Sequence, residues 1–329
     1  MTTANPSKVV ALSGGIGGAK LALGLSRIVP SEDLTVIANT GDDFEHLGLL
    51  ISPDIDTLKY TLAGLDNREL GWGRCDESWN FMAALREVGG DDWFNLGDRD
   101  LAIHVERTRR RAGGERLTTI TQDIAVALGV KPRILPMSDD NVRTFVESDQ
   151  GRLPFQDYFV RLKCAPIVKA LEFVGAESSK PSKEVEAALS DRDLRAVIIC
   201  PSNPLISIEP ILAVPGIRVA LANCTAPVIA VSPIIGGRAI KGPTAKMLDE
   251  LGIGATAVAV ADRYQDLLDG YVVEGDDYED CVAAGYPFAI EQAETIMKSL
   301  DDRENLARTV LSIADNIRSQ QTLQSRAVS

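Results

Sequence analysis

The chain has 329 residues, of which 45% are hydrophobic, so it can bury a large core. Its 47 acidic residues exceed its 34 basic residues, which gives a formal net charge of −13 at pH 7. This charge opposes binding to polyanions, so we expect no nucleic-acid partner and no anionic membrane partner.

The cysteines and the apolar N-terminal run predict where the protein resides. The five cysteines are odd in number, widely spaced and without a CxxC pair, so we expect reduced thiols. The apolar run Val9–Val29 is interrupted by Lys20 and Arg27, and no cleavage-like segment follows it. No other stretch approaches the roughly 18 apolar residues that a membrane span needs. We therefore expect a cytoplasmic protein.

Short β-branched runs alternate with helical patterns, which is typical of a parallel sheet with helices on both faces. The predicted strands are Lys8–Leu12, Leu34–Ala38, Arg133–Leu135, Ala196–Cys200, Val228–Val231 and, as a sixth, Ala255–Val260. The motifs SGGIGG, NTGDD, PMSDD, PSNP and SPIIGG follow the first five in order. Since ligands of an open α/β sheet lie outside the carboxyl ends of its strands, we expect all five motifs to face one crevice.

Helical periodicity completes the alternation, for example in the i, i+4, i+7 spacing of Leu58, Leu62 and Leu65. The predicted helices are Gly18–Val29, Thr57–Leu65, Ser78–Glu87, Arg99–Arg111, Leu117–Leu128, Ser182–Leu189, Thr244–Leu251 and Arg303–Ile317. The pattern predicts an α/β fold with a doubly wound, mainly parallel, Rossmann-like sheet.

A different pattern lies between the helical segments in the middle of the chain. Thr144–Glu147 and Leu153–Val160 flank the turn Asp149–Gly151, which predicts a β-hairpin within a small α+β insertion lobe. The polar C-terminal residues predict a flexible tail. The expected organisation is a catalytic core of residues 1–140 and 184–318, the lobe at 141–183 and the tail at 319–329.

The glycine loop Ser13–Gly18 follows a predicted strand and opens a helix. Its backbone N–H groups and the helix N-terminus can both face an anion, which predicts a phosphate site. A glycine cluster also serves simply to pack a helix against a strand, and this alternative stays open. The missing GxxxxGK[ST] pattern excludes a Walker loop. Asn39 and Thr40 stand where a dinucleotide-binding fold requires an acidic residue.

Carboxylates gather in the next two motifs, NTGDD and ISPDIDT. At the mouth of a phosphate site they would repel the ligand unless a cation lay between them, and Mg²⁺ is the natural candidate. The alternative is structural: Asp54 or Asp56 would cap the following helix, and Asp42 or Asp43 would stabilise a turn.

The segment Asn95–Asp100 precedes a helix that carries His104 and the arginine-rich run Arg107–Arg111. We interpret Asp98 as a helix cap and the arginines as a solvated face, although one arginine could reach a phosphate. His104 and His46 are the only histidines. Neither has an obvious partner for metal or nucleophilic chemistry, so structural roles are favoured.

Two Ser/Pro loops, Pro201–Pro204 and Ser232–Gly237, each follow an apolar strand. Prolines hold the neighbouring hydroxyls and amide in one geometry, which suits recognition of a base or ribose. A purely structural turn is the alternative. Trp72, Trp79 and Trp93 could stack on a flat ligand, but core packing is the preferred interpretation for each.

The order and spacing of many long motifs resemble the 2-phospho-L-lactate transferase family of coenzyme F-420 biosynthesis, from about Lys8 to beyond Gly242. The motifs are SGGIGGAK, NTGDD, ISPDIDT, GWG, LGDRDLAIH, LPMSDD, APIVKALEFVG, PSNPLISIEPIL and AVSPIIGGRAIKGP. NTGDD together with GWG is more similar to bacterial members. In that family a deazaflavin alcohol, 7,8-didemethyl-8-hydroxy-5-deazariboflavin, attacks a guanylyl diphosphate donor that carries a phospholactate-type acid, and GMP is released.

The resemblance implies a Mg²⁺-dependent phosphotransferase that forms a homodimer and takes these two small molecules as substrates. Asp42 and Asp56 match metal positions, and Asp56 and Asn95 match positions assigned to the deazaflavin alcohol. The implied catalytic residues are Asp42, Asp43 and Asp56, with Asp42 or Asp43 orienting the metal or accepting a proton. The implied substrate-binding residues are Gly14, Gly15, Gly17, Gly18, Asn39, Thr40, Asp56, Asn95, Asp98, Arg99, Ser202, Asn203, Ser232 and Gly236.

Phosphoryl transfer requires mainly placement and charge neutralisation, so no protein nucleophile is needed. Two other classes stay open. One is a non-catalytic sugar-nucleotide-binding regulator of the gluconeogenesis-factor type, which shares the glycine loop but which the LGDRD segment disfavours. The other is a nicotinamide oxidoreductase, disfavoured by the missing acidic residue. The phospholactyl, phosphoenolpyruvyl and phosphoglyceryl donors are not distinguished by the sequence pattern.

Overall fold

The alternating segments fold into strands and helices around one central sheet. The computed structural model of the protein describes residues 6–239 and 242–328. Its strands are β1 (Lys8–Ser13), β2 (Leu34–Ala38), β3 (Phe44–His46), β4 (Leu49–Ile51), β5 (Arg133–Pro136), β6 (Arg143–Ser148), β7 (Gly151–Pro154), β8 (Val168–Val174), β9 (Leu194–Ile199), β10 (Val228–Val231), β11 (Ile234–Ile235), β12 (Arg238–Ala239), β13 (Gly270–Val273) and β14 (Ala289–Gln292).

Helices connect these strands. They are α1 (Gly15–Ile28), α2 (Pro53–Ala63), α3 (Asn80–Glu87), α4 (Asp98–Ala112), α5 (Leu117–Ala127), α6 (Lys183–Leu189), α7 (Glu209–Leu212), α8 (Pro215–Ala222), α9 (Thr244–Glu250), α10 (Ala257–Asp262), α11 (Gly275–Ala283) and α12 (Leu300–Val328). All eight predicted helices are present. Their ends differ from the prediction by up to four residues, except that α12 continues eleven residues beyond its predicted end.

Seven of the described strands form a parallel sheet in the order β14-β13-β10-β9-β1-β2-β5. β1 lies inside this sheet, where Val9 pairs with Leu34 of β2 on one side and with Ala196 of β9 on the other. On one side of β1 the strands β2 and β5 follow in chain order. On the other side the order is β9, β10, β13 and β14. The predicted doubly wound, Rossmann-like α/β fold is therefore confirmed, and the strand order reverses between β1 and β9.

Helices cover both faces of this sheet. Val9 and Ala11 of β1 join a hydrophobic cluster with residues of α1, α2 and α12. Val10 and Leu12 point to the other face, into a cluster with residues of α6, α7, α8 and the insertion lobe. Burial on both faces explains the unbroken apolar runs in the sequence, because a strand covered on one face only would alternate with polar residues.

The prediction of a sixth strand at Ala255–Val260 is wrong. Most of this segment lies in α10, whose first turn is capped by the Thr256 hydroxyl accepting a hydrogen bond from the Ala259 N–H at 3.0 Å. A short apolar run fits a buried helix as well as a buried strand, and here the cap selects the helix. The two further strands of this half are β13 and β14.

The insertion lobe contains a three-stranded antiparallel sheet in the order β7-β6-β8. Its predicted hairpin is present, but the second arm ends at Pro154, and Asp157–Arg161 forms a π-helical turn instead. Proline lacks the N–H needed to continue the ladder. The lobe packs on the core, because its buried Val146 and Tyr158 belong to a cluster that also covers the central sheet.

The last helix extends beyond the predicted helix Arg303–Ile317 at both ends. α12 continues to Val328, through the segment 319–328 that was expected to be flexible. Glutamine, leucine, arginine and alanine in this segment are good helix formers, so the propensity supports the continuation.

Within residues 6–239 and 242–328, no single helix is long and apolar enough to cross a membrane. The bent pair Pro204–Leu212 and Pro215–Ala222, whose axes meet at 86°, meets the requirement only by its combined length and composition.

Candidate functional site

A cavity of about 830 Å³ opens at the carboxyl ends of β1 and β9, where the strand order reverses. Ligands of open α/β sheets bind at this position. Its walls include Gly14–Gly17 after β1 and Pro201–Asn203 after β9, with the start of α2 beside them. Further lining residues come from distant parts of the chain and include Lys20, Leu70, Trp72, Phe94, Asp100, His104, Phe155, Phe159, Ser232 and Lys298.

Four of the five strand-end motifs contribute to this cavity, and the fifth does not. PMSDD follows β5 at the edge of the sheet, and none of its residues lines the cavity. Its Asp139 instead accepts hydrogen bonds from the Thr118 N–H at 2.7 Å and from Arg116 at 2.9 Å, at the start of α5. The expectation that all five motifs face one crevice is therefore wrong for this motif, which caps a helix.

The glycine loop packs tightly against the loop that follows β9. A Cβ atom on Gly17 would lie 2.3 Å from the carbonyl oxygen of Pro201, and one on Gly18 would lie 2.3 Å from the Ser202 hydroxyl. The Gly14 N–H donates to that same hydroxyl at 3.2 Å. Gly14, Gly15 and Gly17 line the cavity, whereas Gly18 does not. The glycines therefore allow close packing of the loops as well as forming the cavity wall.

Asp42 and Asp54 form a buried acidic pair beneath the glycine loop. Asp54 accepts hydrogen bonds from the Gly15 N–H at 2.7 Å and from the Asn39 amide at 2.9 Å. Burial, and then the neighbouring Asp54 charge, raises the pKa of Asp42 well above its usual range. Burial also raises the pKa of Asp54 to about 6. The Asp42 Oδ1 atom accepts no hydrogen bond from any residue that the structure describes.

This pair fits a hard divalent cation. Both carboxylates line the cavity and are almost completely buried, and burial of two such groups without a countercharge is unfavourable. Oxygen ligands of this type suit Mg²⁺. The sequence analysis included Asp54 among the gathered carboxylates, with helix capping as the alternative, but did not name it as a metal ligand. Its contact with the glycine loop was not predicted.

Asp56, two residues further along α2, has a different environment. Its Oδ1 atom accepts a hydrogen bond from the Arg107 guanidinium and lies 2.8 Å from the Lys59 Nζ atom. His104 Nδ1 lies 3.6 Å from the other oxygen, Oδ2. Burial alone would raise the pKa of Asp56, but the Arg107 and Lys59 charges bring it below its usual range. Asp56 is therefore an ionised carboxylate whose charge is already balanced by protein cations.

Other predicted residues lie around the cavity and contribute to its walls. Asn95 lines it and accepts a hydrogen bond from Arg86 at 3.3 Å. Ser202 donates to the Gly14 carbonyl oxygen at 2.7 Å, and Asn203 caps the π-helical turn after it by accepting from the Leu205 N–H at 2.9 Å. Ser232 also lines the cavity, and its hydroxyl exchanges hydrogen bonds with the backbone N–H and carbonyl oxygen of Ile234 in the same loop.

Several predicted site residues serve the surrounding fold and do not line the cavity. Asp98 caps α3 by accepting from the Phe81 N–H at 3.0 Å, and the Arg99 N–H donates to Glu77 at 2.7 Å. Gly236 lies in the turn between β11 and β12, and its N–H donates a hydrogen bond to the Asp277 carboxylate of α11 at 3.0 Å. The predicted residues outside the described lining are Gly18, Asn39, Thr40, Asp43, Asp98, Arg99 and Gly236.

Asp43 lies behind the cavity wall. Its carboxylate accepts a hydrogen bond from the Ser52 hydroxyl at 2.8 Å, and burial raises its pKa to about 7 despite the nearby Arg143. The side chain is absent from the cavity lining described here. Its position does not suit direct contact with a substrate, although it borders the acidic motif.

Asp100 and His104 are site residues that the sequence interpretation missed. They lie four residues apart on α4 and therefore on one face, with His104 Nε2 3.3 Å from Asp100 Oδ2. Tyr60 of α2 donates a hydrogen bond to the same carboxylate. The i, i+4 spacing was a usable signal, but His104 was assigned a structural role because its partner Asp56 lies 48 positions earlier in the sequence.

Aromatic side chains also border the cavity. Trp72, Phe94, Phe155 and Phe159 line it, and the rings of the last two stack with centroids 5.3 Å apart. Trp72 is the only tryptophan among the described lining residues. The cavity thus combines buried carboxylates and loop amides with aromatic walls, which suits a ligand with phosphate and ring portions.

Comparison with known sequences identifies the family of this protein. The chain matches the family model 2-phospho-L-lactate transferase CofD over residues 9–323. The chain belongs to this family. The family resemblance found in the sequence motifs is confirmed, and the protein is a transferase of the CofD family.

Two curated relatives show the extent of the similarity. A phosphoenolpyruvate transferase of Kitasatospora aureofaciens is 43% identical over 320 residues, covering 94% of this chain and 99% of the relative. A 2-phospho-L-lactate transferase of Methanosarcina acetivorans is 37% identical over 316 residues, covering 94% of this chain and 100% of the relative.

The fold is also shared with a solved structure of low sequence identity. A protein of the UPF0052 family from Bacillus halodurans superposes with a TM-score of 0.65 at 16% identity. The superposition covers 94% of this chain and 100% of the other. This similarity shows a common fold.

Proposed function

We propose that this transferase moves a phosphoenolpyruvyl group from its guanosine diphosphate conjugate to the ribityl hydroxyl of 7,8-didemethyl-8-hydroxy-5-deazariboflavin in coenzyme F-420 biosynthesis. The products are GMP and a phosphodiester-linked precursor. The main support is the 43% identity to a phosphoenolpyruvate transferase across 94% of the chain. A relative named for phospholactate is 37% identical, so the comparison favours the phosphoenolpyruvyl donor over the phospholactyl donor.

The cavity supports this reaction class because it offers separate surroundings for the two substrates. The loops after β1 and β9 suit the diphosphate of the donor, and the aromatic walls suit the ring of the acceptor. Phosphoryl transfer needs the two held in line rather than a protein nucleophile.

The proposed cation ligands are Asp42 and Asp54, in place of the sequence-based pair Asp42 and Asp56. The reason is charge: Asp56 is paired with Lys59 and Arg107, whereas the Asp42–Asp54 pair has excess negative charge. A bound Mg²⁺ would neutralise charge on the phosphate oxygens of the donor.

Asp56 is proposed to orient the acceptor. Its Oδ2 atom can accept a hydrogen bond from the ribityl hydroxyl, whose oxygen then attacks the phosphorus distal to guanosine. A new O–P bond forms as the bond from that phosphorus to the bridging oxygen breaks, and the bridging oxygen leaves with GMP. In the net reaction the hydroxyl proton passes to the phosphate of GMP or to water. The lowered pKa of Asp56 suits orientation rather than strong base catalysis.

The decisive experiment offers the phosphoenolpyruvyl, phospholactyl and phosphoglyceryl donors separately, each with the deazaflavin alcohol and Mg²⁺. Mass spectrometry then distinguishes the three products. We expect GMP release and the phosphoenolpyruvyl product. A different preferred donor would overturn the donor assignment, and no product from any donor would overturn the proposed transferase reaction.

Asp56→Asn should lower transfer by about 100-fold or more, because the neutral amide cannot accept from the hydroxyl with the same strength or orientation. Asparagine is preferred to alanine here, since its amide oxygen can still accept hydrogen bonds from Lys59 and Arg107, whereas alanine would leave these buried cations without an acceptor at this position. Steady-state kinetics measure the loss, and circular dichroism checks the fold. The matched control is Asp98→Asn, a cap outside the cavity lining that should retain most activity.

A further inference from the structure

A buried charged cluster lies beside the acceptor end of the proposed site. The side chains of Lys59, His104, Arg107 and Asp56 are 0%, 1%, 1% and 6% exposed, respectively. Burying this many ionisable groups is unfavourable unless each is paired, so such clusters are weak evidence for stability alone. Two of the four, Asp56 and His104, line the cavity, which indicates a functional reason for burying the cluster.

Arg107 is the central member, because it joins three parts of the fold. One terminal nitrogen, Nη1, donates to the Leu50 carbonyl oxygen of β4 at 3.1 Å and lies 3.3 Å from His104 Nδ1 on its own helix. The other, Nη2, donates to Asp56 of α2. The planar guanidinium holds these partners in a fixed geometry, which the compact ammonium group of a lysine does not provide.

The contact with Arg107 fixes the tautomer of neutral His104. A guanidinium only donates hydrogen bonds, so its 3.3 Å contact with Nδ1 is a hydrogen bond when Nδ1 carries no proton. Asp56 Oδ2 lies farther from Nδ1, at 3.6 Å, beyond hydrogen-bond distance. The proton of neutral His104 is then on Nε2, which lies 3.3 Å from Asp100 Oδ2. Arg107 therefore determines which ring nitrogen of His104 points, with its proton, toward Asp100.

The same contact determines which oxygen of Asp56 is available. Arg107 and Lys59 both engage Oδ1, so Oδ2 accepts no hydrogen bond from the described residues. Asp56, His104 and Asp100 all line the cavity. One oxygen is thus held by protein cations, and the other is left for a hydroxyl group.

We propose that Arg107 is a positioning residue for the acceptor alcohol. It holds Asp56 with Oδ2 free for the ribityl hydroxyl and holds His104 as the Nε2–H tautomer beside Asp100. This inference rests on the proposed function for the role of Asp56, but the fixed tautomer does not depend on that function.

The kinetic test compares Arg107→Met and Arg107→Lys with wild type. Arg107→Met should reduce kcat/KM for the deazaflavin alcohol by about 10- to 100-fold, the usual range for a partner that orients a reacting group, and leave the donor KM within about threefold. Arg107→Lys should recover only part of the loss. The matched control is Arg109→Met, which removes an exposed arginine paired with Glu106 and should leave both constants unchanged. Equal loss for both substrates, or full recovery by lysine, would overturn the proposal.

The spectroscopic test uses the fact that the chain has only two histidines. In ¹⁵N-histidine-labelled protein, wild-type His104 should show the Nε2–H tautomer, and Arg107→Met should shift it toward a mixture. His46, which packs against Trp93 and Phe94, serves as the internal reference and should not change. An unchanged His104 signal would overturn the positioning role.

The two tests remain informative under different failures. If Arg107→Met does not fold, the Arg107→Lys variant tests the positioning role instead. Wild-type kinetics and a wild-type His104 tautomer in that variant would show that no guanidinium is needed. If wild-type protein forms no product with any donor, the proposed function fails, while the tautomer measurement still tests the arrangement around Arg107.

Discussion

At the scale of single residues, two aspartates separated by one residue have opposite electrostatic roles. Asp54 contacts Gly15 and Asn39 beneath the glycine loop, and Asp56 contacts Lys59 and Arg107. Residues two apart on a helix point about 200° away from each other, so neighbours in sequence face different surroundings. One aspartate has a raised pKa and the other a lowered pKa as a result.

The raised pKa of Asp54 predicts that Mg²⁺ stabilises the protein more as pH rises. A carboxyl whose folded pKa is about 6, above its usual 3.8, favours the folded state most at low pH and loses that contribution as pH rises toward 6. Mg²⁺ needs the ionised form. The rise in melting temperature on adding Mg²⁺ should therefore be small at pH 5 and larger at pH 7.5. Thermal unfolding of wild type and Asp54→Asn measures this; an equal Mg²⁺ effect in both proteins would contradict the assignment.

The sequence identified the acidic motifs but could not assign each carboxylate. NTGDD and ISPDIDT were correctly placed near the end of β2, because parallel strands end at a common edge. The countercharges Lys59 and Arg107 come from α2 and α4, and only tertiary packing brings Arg107 to Asp56. Without those partners, the sequence alone did not distinguish a carboxylate paired with protein cations from one that has no cationic partner.

At the scale of secondary-structure elements, the glycine loop permits close packing of neighbouring segments and also lines the cavity. It lets α1 start directly against the segment after β9, where a side chain at Gly14 would meet Asp54 and Ser207 at 2.6 Å. The sequence left both interpretations open. The structure supports close packing directly, and the phosphate role belongs to the proposed function.

Gly17→Ala should disturb this contact. The added Cβ would lie 2.3 Å from the Pro201 carbonyl oxygen, so backbone must move, at a cost of about 1–3 kcal/mol in the free energy of unfolding. Transfer should fall as well, because both loops line the cavity. Denaturant unfolding and kinetics measure the two effects. Gly113→Ala, at the exposed end of α4 with φ −76°, is the matched control and should change both only slightly.

The element boundaries show where sequence patterns suffice. Eight of the twelve described helices were predicted because their periodicity extends over several turns, as in α4 and α12. The short helices α7, α8, α10 and α11 were not predicted. The segment Ala255–Val260 was misassigned because its five small apolar residues show no helical period, and its one polar residue, the Thr256 cap, was the better signal. Short strands such as β13 and β14 gave too little pattern to be predicted.

At the scale of the whole molecule, the last helix, α12, packs against the first helix, α1. Its buried Leu306, Val310 and Leu311 pack in the cluster that contains α1 and one face of the central sheet. Gly24 of α1 permits the approach, since a Cβ there would lie 2.1 Å from the Arg303 carbonyl oxygen. The last helix is therefore part of the core that supports the glycine loop.

Two leucines on this helix give a direct test. Leu311→Ala should lower the free energy of unfolding by about 2–5 kcal/mol, because Leu311 is 3% exposed and its removal leaves a cavity. Leu323→Ala on the same helix should change it by less than about 0.5 kcal/mol, since Leu323 is 66% exposed. Chemical denaturation compares them; similar losses in the two variants would contradict the packing of α12.

The interior position of β1 has a consequence for synthesis of the protein. β1 spans Lys8–Ser13 but pairs on one side with β9, which begins at Leu194. At translation rates of roughly 5–20 residues per second, β9 is synthesised about ten seconds or longer after β1. During this time one hydrogen-bonding edge of β1 has no partner strand. A nascent chain shorter than about 200 residues should therefore need protection from aggregation, and substrate affinity can arise only after β9 has joined the sheet.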